Sequence, residues 1–315
     1  MANSTLLALV NAAQGELGLA VSSTVVANTA DEVTQLRYLI NALGNGLKRE
    51  YPWQATSVEY RFSSVAYTYT ATTADTSTTI SVMSSTTGLT TNPTYFQVTG
   101  NGIPSDTYLV SVNAGASTAV LSNAATATGT LVSLTFSQVR YALATDFDRL
   151  TDRTDWVRSD HWEMIGPETA QQWQWLKSGY ISTGPRVRFR MLGDLFQIWP
   201  TLADAERLGY EYFSKYWVYA TAATALSKQS FTVDTDTCIF PDRLMVVGLK
   251  DRFFRAKGFT TVVNGKVTTI FSSEYDMELS NAKANDGGSP NLSFAPRPSS
   301  VLIGWDNIPD SQYGS

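Results

Sequence analysis

Residues 29–53 read TADEVTQLRYLINALGNGLKREYPW, and this stretch decides the helical part of the fold. Its apolar side chains recur at the i, i+3, i+4, i+7 spacing of one helix face, at Val33, Leu36, Leu39, Ile40, Leu43 and Leu47. Thr29 or Asp31 is the expected start, and the helix ends before Pro52, because proline disfavours helical backbone in the residue that precedes it. Gly44 and Gly46 each weaken the last turns by about 1 kcal/mol relative to alanine.

A shorter helix is predicted upstream of this stretch. Ser4 is its expected N-cap and Gly18 its end. Its apolar stripe consists of Leu6, Leu7, Leu9, Val10, Ala13 and Leu17. Downstream, the alternation of Val58, Tyr60 and Phe62 predicts the start of a β-strand.

The composition changes sharply between Ser63 and Val139. This segment has no Lys or Arg, and Asp75 and Asp106 are its only acids. Turn residues separate short runs of alternating apolar residues, which favours folded strands over the alternative of low-complexity disorder. We therefore predict a small all-β, sandwich-like module at residues 64–138, inserted into a core of helices and β-hairpins formed by residues 1–63 and 139–285.

The second half of that core is predicted from turn and cap signals. Gly193-Asp194 lies between two apolar alternations and predicts a hairpin. Pro167-Glu168 suits the first turn of a helix, and Pro241-Asp242 begins another that closes at Gly258. A final, more polar helix is expected at about residues 266–284. The fold class is therefore α+β, with an N-terminal helical bundle and a β domain.

Residues 286–315 are predicted to form an extended C-terminal arm. Glycine and proline punctuate this end, so it cannot build a core of its own. It nevertheless carries large apolar residues, which are Leu292, Phe294, Val301, Leu302, Ile303 and Trp305. Docking on a partner protein explains them better than the alternative of a free tail.

Composition excludes several classes of function. The chain has one histidine and one cysteine, so no intrachain disulfide forms, and most His/Cys metal sites are excluded. No phosphate-binding glycine loop is present, and we expect no cofactor and no metal. The net charge of −5 gives no general attraction to DNA. No apolar run is long enough to cross a bilayer, and the start lacks a basic signal region, so synthesis in the cytoplasm is expected.

Three arginines form the clearest candidate contact site. Arg186, Arg188 and Arg190 alternate with Val187 and Phe189, so their guanidinium groups should leave one face of one strand. Such a row can bind carboxylates of a partner protein or neighbouring subunit, or DNA phosphate. The alternative is a solvated strand face. Because the chain is acidic overall, protein carboxylates are the favoured ligand.

Two pairs of aspartates and a group of tryptophans allow an alternative, enzymatic or sugar-binding interpretation. Asp234 with Asp236, and Asp146 with Asp148, could serve acid–base chemistry, although turn and helix-capping roles are commoner. The tryptophans could form a sugar-stacking platform, but core and interface roles are commoner for this residue type. They are Trp156, Trp162, Trp173, Trp175, Trp199 and Trp217. We expect no catalysis.

The order of these segments resembles the head-to-tail adaptor proteins of short-tailed bacteriophages, the tail tubular protein A type. The resemblance covers nearly everything outside residues 64–138. Besides residues 29–53, it is carried by LALVNAAQGELG (7–18), ALATDFDRLTD (142–152), GPETAQQWQWLKSG (166–179), FRMLGDLFQIWP (189–200), YEYFSKYWV (210–218) and FTVDTDTCIFPDRLMVVGLKDRFFRAKG (231–258).

This resemblance implies a structural virion protein at the head–tail junction. Members of the family form a twelve-subunit ring between the portal protein above and the tail tube or nozzle below, around the channel for DNA ejection. The expected partners are therefore the portal, the tail protein and copies of the same chain, with DNA only as a passing polymer and no membrane. The C-terminal arm would dock on the portal. The helices, through Leu36, Leu39, Ile40, Leu43 and Leu47, would pack between subunits.

Two other functions remain open from the sequence. One is a virion-associated carbohydrate-binding or cell-wall-degrading protein, using the tryptophans and an aspartate pair. The other is a decoration or receptor-binding protein, in which the inserted β module at residues 64–138 makes the contact.

Overall fold

The computed structural model describes residues 3–178, 186–221, 223–263 and 265–286. Within these residues it contains five α-helices and several antiparallel sheets, so the α+β class predicted from the sequence is confirmed. The chain divides into two compact units. One contains residues up to Thr56 and from Tyr216 onward, and the other is Ser57–Lys215. The predicted segment boundaries at 63/64 and 138/139 both fall inside the second unit.

The elements are numbered in chain order. The helices are α1 (Leu6–Leu17), α2 (Asp31–Glu50), α3 (Ala170–Lys177), α4 (Asp242–Ala256) and α5 (Ser272–Asp286). The strands are β1 (Ser57–Ser63), β2 (Ala66–Thr73), β3 (Thr79–Ile80), β4 (Phe96–Gly100), β5 (Thr107–Asn113), β6 (Thr118–Leu121), β7 (Gly129–Gln138), β8 (Arg140–Ala142), β9 (Phe147–Leu150), β10 (Trp156–Val157), β11 (Trp162–Glu163), β12 (Arg188–Leu192), β13 (Leu195–Trp199), β14 (Arg207–Ser214), β15 (Val218–Tyr219), β16 (Leu226–Lys228), β17 (Thr237–Cys238), β18 (Thr261–Val263) and β19 (Lys266–Thr268).

The first unit is built on helices that share one apolar core. Helices α1, α2 and α5 each pack on α4, which is buried along most of its length. The two predicted helix positions near the N-terminus are confirmed, but Thr5 rather than Ser4 caps α1, because the Thr5 hydroxyl accepts the Ala8 amide. The Ser4 hydroxyl is instead bound to the carboxylate of Asp242, with 2.5 Å between the two oxygens.

The second unit contains a sheet in the order β1-β14-β10-β11, with β9 also on β14, and a smaller sheet in the order β12-β13-β8. The predicted hairpin around Gly193-Asp194 is confirmed as β12 and β13, with Phe189 opposite Ile198. Aromatic side chains from both sheets fill a common core, in which Phe196 stacks on Phe189 and on Tyr210. The face of β12 and β13 that carries Phe189 and Phe196 therefore belongs to the core, and polar residues lie on the opposite face.

Residues 66–138 form a six-stranded antiparallel sheet in the order β2-β7-β4-β5-β6-β3, with an apolar core of their own. Thr72 and Ser81 exchange two backbone hydrogen bonds of 2.7 and 3.0 Å, which join the end of the sheet after β3 back to β2. The strands therefore close into a barrel-like ring, rather than the sandwich expected from the sequence.

Two helix predictions need correction. Helix α3 begins at Ala170 instead of Pro167-Glu168, because Thr169 and Gln172 form a reciprocal capping box that sets the start. The final helix begins at Ser272 instead of residue 266, because residues 261–268 form the hairpin β18–β19. Their threonines and valines are β-branched, and such residues favour strands over helices.

The helices that the structure describes include none that is long and apolar enough to span a membrane.

Candidate functional site

The three most exposed large apolar side chains among the described residues of the first unit lie in or beside the hairpin β18–β19, and a fourth exposed one belongs to the same hairpin. Phe259 is 65% exposed, Val262 71%, Val267 48% and Ile270 75%. We call these four residues the hairpin surface. Val262 and Val267 lie directly opposite each other on the two strands, so their side chains share one face of the hairpin.

The base of this hairpin is held firmly on α4. The Phe254 ring contacts Phe259, which precedes the hairpin in the chain, and Phe271, which follows it, at centroid distances of 5.4 and 4.9 Å. The buried carboxylate of Asp251 accepts hydrogen bonds from the hydroxyls of Thr269 and Ser272, both at 2.6 Å. The exposed residues therefore project from a fixed position, which is what a preformed binding surface requires.

The chemistry of this hairpin suits contact with another protein. Residues 259–270 contain a single charged residue, Lys266. The hairpin is a two-stranded sheet, and no third strand of the described residues pairs with it. Such a ribbon leaves backbone donors and acceptors free along its edges. An exposed apolar surface of this kind is typical of a protein–protein interface.

The prediction that five apolar residues of α2 pack between subunits is wrong for four of them. Leu36, Ile40, Leu43 and Leu47 on α2 are each at most 1% exposed and belong to the core of their own unit. They pack inside the chain because α4 covers this face of α2, so they are not available to a neighbouring subunit. Leu39 is partly exposed, and for it a subunit contact stays a prediction.

The three arginines of the predicted row have different surroundings. The Nη1 atom of Arg188 donates to the buried carboxylate of Glu168 at 2.5 Å, so this chain supplies the carboxylate itself. Arg186 lies over the ring of Trp162, 5.2 Å from its centroid. Arg190 makes no hydrogen bond or ion pair with the residues that the structure describes. Arg188 therefore already has a carboxylate partner within its own chain, and the partner-carboxylate role stays a prediction for all three arginines.

The aspartates considered for acid–base chemistry make structural contacts. Asp236 is fully buried and accepts hydrogen bonds from Lys228 and from the amides of Thr232 and Val233. Asp234 accepts the amides of Val25 and Val26, and so fastens the loop before α2. Asp146 accepts the Tyr212 hydroxyl at 2.6 Å. These contacts favour the turn and fastening roles over the acid–base interpretation.

The tryptophans are divided between the two units and serve different cores. Trp217 is buried among the helices of the first unit, and Trp173 and Trp199 are buried together with Leu176 in the second. Trp162 and Trp175 are about half exposed. The six tryptophans therefore do not form one platform within either unit.

Residues 292, 294, 301–303 and 305, which were predicted to dock on the portal, lie outside the described residues. Helix α5 ends at Asp286, immediately before that segment. Among the residues that are described, no group of three or more His, Cys, Asp or Glu side chains is placed to hold a metal ion.

The hairpin surface was missed from the sequence, although a signal for it exists. The sequence Thr260-Thr-Val-Val-Asn-Gly-Lys-Val-Thr-Thr269 places an Asn-Gly dipeptide between two β-branched runs. That dipeptide is the strongest short-range signal for a two-residue hairpin turn. Interpreting the segment as part of a polar helix therefore overlooked both the hairpin and its exposed valines.

Comparison with known proteins adds no relative: no protein-family model matches the chain, and no curated protein matches it.

Proposed function

We propose that this protein is a structural virion subunit, the ring-forming adaptor between the portal and the tail of a short-tailed bacteriophage. The observation that carries the proposal is the hairpin surface: four exposed apolar residues, with Lys266 as the one charged residue between Phe259 and Ile270, on a ribbon that α4 holds in place. A subunit whose work is assembly needs such a surface. The resemblance of the sequence to the adaptor family supplies the kind of assembly.

The occupant of the hairpin surface is a second copy of the same chain. Permanent interfaces between identical subunits are more apolar than transient ones, and charged residues are depleted from their centres. The stretch from Phe259 to Gly265 has that composition. In a closed ring each copy gives the hairpin to one neighbour and receives the other neighbour's hairpin, so every hairpin surface is covered.

The remaining parts have assigned roles in this proposal. The helices of the first unit form the N-terminal helical bundle of the adaptor, and residues 64–138 are the inserted β module. We assign the docking on the portal to the C-terminal arm predicted at residues 286–315, and the tail tube or nozzle binds below. DNA passes through the ring without being held, which suits a chain of net charge −5, because fixed lysines and arginines would retain it.

The experiment is to mix the chain with its portal protein and image the product by electron microscopy. The proposal predicts rings of the chain seated on portal rings. A chain that lacks residues 286–315 should fail to attach to the portal. Unchanged attachment of the truncated chain would contradict the docking role of the arm, and a chain that never forms rings on the portal would contradict the proposed function.

A further inference from the structure

One row of side chains crosses the small sheet of the second unit on its polar face. Arg190 on β12 lies opposite Gln197 on β13, and Gln197 lies opposite Arg140 on β8. Directly opposed residues of antiparallel strands share a face, so these three side chains leave the sheet on the same side. The opposite face carries Phe196 and belongs to the aromatic core.

Two further residues cover this row. Lys177, at the end of α3, is 15% exposed, and its Nζ lies 4.6 Å from the centroid of the Tyr108 ring, whose hydroxyl accepts a hydrogen bond from it. The guanidinium of Arg140 lies over the same ring at 5.1 Å. Arg140 and Lys177 therefore both lie against the Tyr108 ring, which brings their charges into one group with Arg190.

The charges in this site do not balance. Arg140, Lys177 and Arg190 contribute three positive charges, and the carboxylate of Asp106, 3.8 Å from Lys177 Nζ, contributes one negative charge. Burial lowers the pKa of Lys177, and the neighbouring Arg140 and Arg190 lower it as well, against the opposing effect of Asp106. The free site therefore carries an uncompensated charge of about +2 in a partly desolvated place, which is costly.

The polar groups of the site are also incompletely bonded. The Nε of Arg140 is buried without a hydrogen-bond partner, although its Nη1 donates to the Thr94 carbonyl at 2.9 Å. Gln197 is only 6% exposed, and its side-chain amide makes no hydrogen bond with the residues that the structure describes. Buried polar groups are normally bonded, so the unused Nε–H of Arg140 beside an excess of positive charge points to an anion.

We propose that Arg140, Lys177, Gln197 and Arg190 form a binding site for a phosphate group. A phosphate monoester or inorganic phosphate carries about 1.5 to 2 negative charges at neutral pH and offers several acceptor oxygens. It therefore matches both the excess charge and the unused donors. The carboxylate expected at Arg190 from the sequence would balance only one of the two charges. The enclosure by Tyr108 and α3 suits a single small group better than the backbone of a DNA duplex.

The site can be tested on the full-length isolated chain, with inorganic phosphate as the probe and titration calorimetry as the measurement. The centroid of the Trp173 ring lies 5.6 Å from Lys177 Nζ, so tryptophan fluorescence gives a second readout. The test variants are Arg190→Gln and Lys177→Gln. Arg207→Gln is the matched control, because Arg207 is exposed and forms no ion pair with the described part of the chain. Acetate serves as the monoanionic comparison.

We expect saturable phosphate binding that weakens at least about tenfold in both test variants, stays within about twofold in the control, and is at least about tenfold tighter than acetate binding. Arg190→Gln should also melt no lower than the unchanged chain in phosphate-free buffer, since it relieves repulsion, yet gain less from added phosphate. Absence of saturable binding, equal binding by all variants, or equal affinity for acetate would overturn the proposal. These results are independent of ring formation, so they neither rest on nor decide the adaptor function.

Discussion

The indole ring of Trp217 lies against the backbone of α2 at Gly44, and its Nε1–H donates to the side-chain oxygen of Asn45 at 3.0 Å. A Cβ atom at position 44 would overlap this ring. The glycine that weakens the helix by propensity is therefore the residue that lets a fully buried tryptophan reach it. Local helix stability is given up here for packing in the core.

Replacing Gly44 by alanine should destabilise the protein, although alanine is the better helix former. We expect the free energy of unfolding to fall by about 1–3 kcal/mol, because the Trp217 ring must shift in a packed core. Gly15→Ala in α1 is the matched control, since nothing lies within 4 Å of its added Cβ. That variant should gain about 0.5–1 kcal/mol. Urea unfolding measures both, and a stabilised Gly44→Ala would contradict the packing described.

Asp236 should be essential for the stability of the first unit at neutral pH. Burial alone would raise the pKa of this carboxyl, but the hydrogen bonds from Lys228 and the amides of Thr232 and Val233 outweigh that effect and lower it. Asp236→Ala should cost about 3 kcal/mol or more at pH 7, because it leaves Lys228 without its buried partner.

The pH dependence of that contribution follows from the lowered pKa. The folded protein releases the Asp236 proton more readily than the unfolded chain does, so the stabilisation is complete above the ordinary carboxyl pKa near 4. It is lost as the pH falls through the lower, folded value. The unfolding temperatures of the unchanged chain and of Asp236→Ala should therefore differ widely at pH 7 and less at pH 3. A constant difference would contradict this origin.

Asp155 should have the opposite pH dependence. Burial raises its pKa to about 7, with further increases from Glu163 and Asp152. Because the folded pKa lies above the unfolded one, stability falls as the pH rises from about 4 to 7 and stays low above that. Asp155→Asn should therefore stabilise the protein by up to about 4 kcal/mol at pH 8 and much less at pH 4. The exposed Asp160→Asn is the control, and equal effects of the two variants would refute this assignment.

Removing the six-stranded segment should leave a folded protein. Ala66 pairs with Ser137 at the start of β2 and the end of β7, so the two cut ends lie within about 5 Å and can be joined by a short linker. The segment also has its own apolar core. We expect a chain lacking residues 67–136 to unfold cooperatively in calorimetry. Loss of a cooperative transition would show that the rest depends on this segment.

Much of the fold was predictable where local patterns and tertiary packing agree. The periodicity of α2, the turn dipeptide between β12 and β13, and the Pro241-Asp242 start of α4 each correspond to an observed element. The capping box at Thr169 and the hairpin β18–β19 had local sequence signals too. The prediction instead used Pro167 as the start of α3 and assigned the segment from about residue 266 to a helix.

The proposed phosphate site could not be predicted, because its residues meet only through tertiary structure. Tyr108, Arg140, Lys177 and Arg190 come from four separate segments, and sequence spacing connected Arg190 only with Arg186 and Arg188. The same limitation explains the error for Leu36 and Leu43. An apolar helix face shows that burial occurs, but it does not show whether the covering helix belongs to the same chain.

The most direct test of the adaptor function is ring formation by hairpin-surface variants, measured by sedimentation and by electron microscopy with the portal. Val262→Asp and Ile270→Asp should remain folded but lose rings, because each places a charge in the proposed subunit interface. Val21→Asp, at a position 63% exposed elsewhere in the same unit, should assemble normally. Normal rings from the hairpin variants, or equal loss of rings in the Val21 control, would contradict the account.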